Sequence, residues 1–170
     1  MTSSGIEWSK LGGKYIVANS SEGLHPQNVT YHFYSLAGLH ILVVDDNDDS
    51  LFLTACILES YGINVSTATS ALQALEAIAQ FKFDVLIFDI AMPDIDGYSL
   101  IRKVRENQLS EVRNIPAIAL TALGSEESRN MALISGFQSY INKPIDPSIL
   151  ITELMKIMKS SASENGKELA

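Results

Sequence analysis

The sequence predicts a doubly wound α/β domain, one five-stranded parallel sheet with helices on both faces, preceded by an N-terminal extension. Three observations carry this reading. Short β-branched or apolar runs alternate five times with stretches whose apolar residues recur at helical spacing. One run, Val85 to Phe88, is apolar throughout, as in a strand buried on both faces, and ends abruptly in Asp89. Cap and turn residues, among them Gly62 and Gly136, fall between the runs. Parallel neighbours need crossovers, which are right-handed almost without exception, so helices cover both sides of the sheet.

Composition bounds the class. The chain has 170 residues, of which 46% are hydrophobic and 19% charged, enough for one domain with a proper core. A formal net charge of -8 argues against nucleic acid and against anionic membrane as partners. No apolar run approaches the roughly 18 residues of a membrane span, and no basic segment followed by an apolar one opens the chain. The single cysteine, Cys56, lies in an apolar helical pattern; it is expected in the core, and its lack of a partner suits a cytoplasmic protein.

Residues 1–37 form the extension, rich in Ser, Gly and Asn, with two β-favouring stretches, Lys14 to Ala18 and Val29 to Tyr34, that could make a loose hairpin. Tyr31, Phe33 and Tyr34 are costly to leave in water, so this arm is expected to dock on the domain or on a second subunit. The domain proper occupies 38–159. Its strands are His40 to Val44, Ile63 to Ala68, Phe83 to Phe88, Pro116 to Leu120 and Gln138 to Asn142. The first helix, Ser50 to Tyr61, offers Leu51, Phe52, Ala55 and Leu58; the second, Ala71 to Ala79, offers Leu72, Leu75, Ile78 and Ala79 behind Thr69 and Ser70 as caps. The third, Gly97 to Asn107, turns Leu100, Ile101 and Val104 inward and Arg102, Lys103, Arg105 and Glu106 outward. Ser125 to Ser135 and Pro147 to Met158 complete the set, and 160–170 is a small, polar, flexible tail.

The most uniformly apolar strands, ending at Val44, Phe88 and Leu120, are expected at the centre. Their C-terminal ends then bring Asp45, Asp46, Asp89 and Thr121 together, and the fifth strand delivers Lys143 to the same edge, where ligands of open parallel sheets collect. Three carboxylates in one crevice repel unless a pKa rises or a cation binds. Magnesium suits them, since it takes hard oxygen ligands and commonly combines carboxylates with a phosphate oxygen. In such a site Asp89 could accept a phosphoryl group as an acyl phosphate, with the metal and Lys143 offsetting charge and the Thr121 hydroxyl donating a hydrogen bond.

In order, the segments ILVVDDN, LIFDIAMPDIDG, IALTA and YINKPID resemble the receiver domains of two-component response regulators, a type also found in hybrid histidine kinases, over about Leu39 to Met158. The resemblance implies the flavodoxin-like receiver fold and a regulatory phosphoacceptor, not an enzyme, that assists its own phosphorylation and dephosphorylation. It makes Asp89 the phosphoacceptor, Asp46 a direct magnesium ligand, Asp45 an acid supporting the metal, and the backbone carbonyl of Ala91 a further ligand. Lys143 pairs with the phosphoryl group, the Lys143–Pro144 peptide is cis, and Thr121 with Tyr140 forms the switch pair. Ala91 and Leu123 flank the attacking water in the family and cannot orient it, which implies slow dephosphorylation. The implied partners are a sensor histidine kinase or a histidine phosphotransfer protein and a downstream protein target. A homodimer could form through the arm or through the face of the fourth helix, fifth strand and fifth helix.

Other readings compete. Asp45 and Asp46 could simply cap a helix, as Asp48, Asp49, Asp94 and Asp96 are expected to do; Thr121 and Tyr140 could be packing residues; His25, His32 and His40 are not spaced as ligands. A calcium loop starting at Asp45 fails because Ser50 replaces its glycine and Cys56 its bidentate Glu. A phosphoaspartyl hydrolase would need an Asp where Ala91 stands, and the Gly12-Gly13-Lys14 trio lacks the rest of a P-loop. Two arrangements remain: a separate regulator, which Met1 favours, or the receiver portion of a hybrid histidine kinase acting as a phosphotransfer intermediate, whose LAGLHILVVDD lead-in this chain resembles.

Overall fold

The computed structural model describes residues 7–11, 14–18, 32–34, 36–122 and 124–165. Near the N-terminus, β1 (Glu7–Leu11), β2 (Lys14–Ala18) and β3 (His32–Tyr34) form an antiparallel sheet in that order. In backbone register Ile16 of β2 pairs with Phe33 of β3, and Trp8 of β1 with Val17 of β2. The strand β1 has no counterpart in the sequence reading, because EWSKL lacks a sustained apolar alternation. The expectation for Tyr31 falls outside the described residues, as does that for Leu123.

The domain follows as β4 (His40–Val44), α1 (Asp48–Glu59), β5 (Asn64–Ala68), α2 (Ala71–Gln80), β6 (Val85–Asp89), α3 (Gly97–Arg105), α4 (Ser110–Arg113), β7 (Ala117–Thr121), α5 (Glu126–Ser135), β8 (Ser139–Asn142) and α6 (Pro147–Asn165). All five domain strands are parallel, in the order β5-β4-β6-β7-β8. This is the predicted doubly wound sheet, with the three apolar strands central. Alternation along each strand sorts its side chains between two cores. Ile41, Val43, Val85, Ile87, Ile118 and Leu120 meet Leu51 and Leu58 of α1 and Leu150 and Leu154 of α6. Leu42, Val44, Leu86, Phe88 and Ala119 meet α2, α3 and α5 on the other side, through Ala74, Leu100, Ile101 and Ala132. Leu36, expected in the arm, is buried in the first core.

Several local expectations are corrected. In α1 the buried residues are Leu51, Thr54, Ile57 and Leu58, whereas Phe52 is 72% exposed and Cys56 is exposed, not core. The run LFLTACIL has no polar side to set its phase, so the helix start at the Asn47 cap and the fit to the sheet decide which residues face inward. In α2 the small Ala71 and Ala74 pack with Ile78, and Leu72 is turned out. The helix α4 was missed, being a single turn. Finally, α6 continues past Met158 to Asn165, with the Ser160 and Ser161 hydroxyls donating to the Lys156 and Ile157 carbonyls.

Arg105 was expected outward and instead fastens the second face. Its Nε donates to the Gly136 carbonyl at 2.9 Å, Nη1 to the carbonyls of Arg113 and Ile115 at 2.7 Å each, and Nη2 to Gln138 Oε1 at 3.2 Å. Gly136 ends α5 with φ 121°, and a Cβ there would lie 2.9 Å from Arg105 Cγ. Among the described residues no helix is long and apolar enough to cross a membrane.

Candidate functional site

Each central strand ends where its apolar run stops, and the polar residue that follows is left at the carboxyl edge of the sheet. Asp45 comes directly after β4 and is completely buried. Its Oδ1 accepts the Asn47 N–H at 2.9 Å; its Oδ2 accepts the Ser50 hydroxyl at 2.6 Å and the Lys143 ammonium at 2.7 Å. Asp46 beside it is exposed. Helix capping does not account for either acid, because the cap of α1 is Asn47, whose side chain accepts the Ser50 N–H at 2.8 Å. Asp48 and Asp49 fill the first turn, favourably placed against the helix dipole.

Asp89 is the last residue of β6, and its side chain is 5% exposed. Below it the chain must turn sharply, and Gly97 makes this possible: a Cβ there would collide with the Asp89 carbonyl and with Ile90 Cα. Asp96 caps α3 through the Ser99 N–H at 2.7 Å, and Asp94 takes φ 64° in the intervening loop, so both shape the loop as expected. Ala91 is exposed in the same loop. Thr121 closes β7, 5% exposed and in register with Asn142 of β8. Tyr140, opposite Ala119, is half-buried against the second core.

Lys143 is tied to the edge by its backbone N–H, which donates to the Thr121 carbonyl at 2.8 Å; the Lys143–Pro144 peptide that follows is cis, as expected. Its Nζ lies 2.7 Å from Asp45 Oδ2 and 3.0 Å from Asp89 Oδ1. Burial lowers the Lys143 pKa, but the hydrogen bonds to Asp45 and Asp89 outweigh it and leave the ammonium group raised. Burial pushes the Asp89 carboxyl up; Lys143 opposes this, and the charges of Asp45 and Asp46 add to it. Asp45, Asp46 and Asp89 each offer an oxygen within 4.8 Å of the others, a hard, anionic donor set that fits magnesium. Sequence reasoning missed Ser50, whose place one turn into α1 was the available signal, and Arg129, whose guanidinium carbon sits 5.2 Å from the centroid of the Tyr140 ring. His40 is structural: its Nε2 lies 2.8 Å from the Ser66 hydroxyl, its Nδ1 lies 2.9 Å from the Lys82 carbonyl, and its ring packs on Phe83. The side chains of His25 and His32 lie outside the described residues.

Comparison with known proteins agrees with this edge. The family model for the response regulator receiver domain matches residues 41–155. An uncharacterised 14.6 kDa protein of Leptolyngbya boryana is 45% identical over 117 residues, covering 69% of this chain and 88% of that one. The response regulator SaeR of Staphylococcus epidermidis is 32% identical over 126 residues, 74% of this chain but only 53% of SaeR, so the match spans about half of that relative. Among solved structures, the chemotaxis response regulator CheY4 of Vibrio cholerae superposes with a TM-score of 0.65 at 28% identity, over 70% of this chain and 98% of its own. The receiver domain of a Pseudomonas aeruginosa sensor histidine kinase, solved with a magnesium ion in its active-site cleft, gives 0.64 at 31% identity, over 71% and 97%.

Proposed function

This chain belongs to the response regulator receiver family, and on that premise we propose that Asp89 accepts a phosphoryl group from a phosphohistidine of a sensor histidine kinase or a histidine phosphotransfer protein. The observation that carries the reading is the Lys143 ammonium held between Asp45 and Asp89 beside a carboxylate trio of metal-binding size.

In the step proposed, an Asp89 carboxylate oxygen attacks phosphorus, the phosphorus–nitrogen bond to the donor imidazole breaks, and the imidazole keeps the electron pair and takes up a proton. Asp46, Asp89 and the Ala91 carbonyl would hold magnesium, with Asp45 in support, and the bound ion would supply positive charge to the phosphoryl oxygens. Lys143, already at Asp89, is placed to follow the new negative charge. The Thr121 hydroxyl would donate to another phosphoryl oxygen, and its movement would let Tyr140 turn, shifting the population of two packings around α5, β8 and α6. Ala91 stands where a phosphoaspartyl hydrolase would need its acid, which supports a regulatory role over turnover.

A second arrangement, the receiver portion of a hybrid histidine kinase, is supported by the likeness to the Pseudomonas aeruginosa sensor-kinase receiver. Either way the output passes through protein contacts, in the cytoplasm. The test is incubation with acetyl phosphate and magnesium followed by intact-chain mass spectrometry. One phosphoryl group is expected on the wild type and none on Asp89→Asn; incorporation persisting in that variant overturns the assignment.

A further inference from the structure

We propose that Arg129 is a positioning residue for the switch: its guanidinium, placed over the Tyr140 ring, favours the packing the ring has in this structure and so opposes the turn of the ring on activation. This rests on the receiver reading above. The guanidinium carbon is 5.2 Å from the ring centroid, within the range where a cation is attracted to the negative face of an aromatic ring. Arg129 is exposed, and among the described residues no carboxylate forms an ion pair with it, so no ion pair competes with the ring contact.

The helix that carries Arg129 is anchored on the side nearer the site. Ser125 caps α5 by accepting the Ser128 N–H at 3.1 Å, and the Ser128 carbonyl accepts the Tyr98 hydroxyl of α3 at 3.3 Å. Arg129 follows in the next position, its own N–H donating to the Ser125 carbonyl at 3.2 Å, so the first turn sets the cation over the ring. Tyr140 is half-buried against the second core, and turning it away from its present packing strips Arg129 of its aromatic partner. A contact present in one packing and absent from the other is a differential interaction, and it biases the equilibrium by its own free energy. At an exposed site a contact of this kind corresponds to a factor of about two to five.

The experiment measures the affinity of the full chain for beryllofluoride with magnesium, by isothermal titration calorimetry, for wild type, Arg129→Gln, Arg129→Lys and the Arg129→Gln change in a Tyr140→Leu background. The variants sit on an exposed helix position, and Lys keeps a cation for the ring. Arg129→Gln is expected to bind about two- to fivefold more tightly than wild type, Arg129→Lys close to wild type, and the effect is expected to vanish in the Tyr140→Leu background, where there is no ring. Unchanged or weaker binding by Arg129→Gln, or the same gain without the ring, overturns the role of Arg129 alone. A wild type that binds no beryllofluoride overturns the receiver reading and this proposal with it.

Discussion

Lys143 Nζ lies closer to Asp45 Oδ2, at 2.7 Å, than to Asp89 Oδ1, at 3.0 Å, so the ammonium group just beyond β8 is shared between two buried carboxylates and lies nearer the one that is not the proposed acceptor. Asp45 thereby stores the cation beside Asp89. A gain of negative charge on Asp89 has a neighbour already in place to answer it.

Replacing Lys143 by Met leaves both carboxylates without their cation. Breaking such a pair costs about 3 kcal/mol, at the low end for buried pairs because the Lys143 side chain keeps some contact with water. The Lys143 pKa is raised in the folded protein, so its stabilisation is fully present below the ordinary value of 10.5 and is lost only as pH rises through the folded value. Urea unfolding at neutral pH should therefore report the full loss, and added magnesium should narrow the gap by supplying positive charge to the same acids.

The shift at Asp89 has the same sign but falls in an acid pH window, so at neutral pH its contribution is already lost. Burial, helped by Asp45 and Asp46, raises its pKa despite Lys143, so its favourable contribution is fully present below the ordinary value of 3.8 and is lost as pH rises through the folded value. Asp89→Asn, which cannot ionise, should be more stable than wild type at pH 7, with the advantage shrinking as the pH approaches 3. Denaturation midpoints across that range check it; a stability difference that does not change with pH would show that ionisation of Asp89 is not what burial opposes.

Asp46 is the exposed member of the trio and the acid whose carboxylate is most open to an incoming ion. Asp46→Asn should weaken magnesium binding by at least about tenfold, the low end for disturbing a metal site. Titration of the full chain, followed by nuclear magnetic resonance of the Asp45 to Asn47 amides, measures this without any phosphoryl donor.

Arg105 gives a prediction away from the site. Truncating it to Ala leaves the Gly136, Arg113 and Ile115 carbonyls without their shared donor, at a cost of about 2–3 kcal/mol for charged hydrogen bonds that are only partly replaced by water. Equilibrium unfolding should show it.

These contrasts mark what was legible in the sequence. Strand ends announce themselves, because an apolar run that stops at Asp45, Asp89 or Thr121 fixes both the element and the residue's place at the sheet edge, and parallel topology does the rest. Which three strands lie at the centre followed from their apolarity, whereas the order of the strands within the sheet did not. Helix faces were less readable. Around Phe52 and Cys56 nearly every residue is apolar, so periodicity carries no phase, and in α2 small alanines rather than Leu72 make the close contact with the sheet. Arg105 defeated a polarity argument, because a guanidinium can be turned inward when several carbonyls wait for it. Ser50 and Arg129 act through single tertiary contacts, to Asp45 and to Tyr140, that spacing along the chain does not reveal.

The most direct test of the account locates the phosphoryl group itself. After reaction with acetyl phosphate and magnesium, borohydride reduction of the acyl phosphate and peptide mapping by tandem mass spectrometry should place the modification on Asp89, in the peptide containing LIFDIAMPDIDG. Modification of Asp45, Asp46 or any other residue in place of Asp89, or none at all, would contradict it.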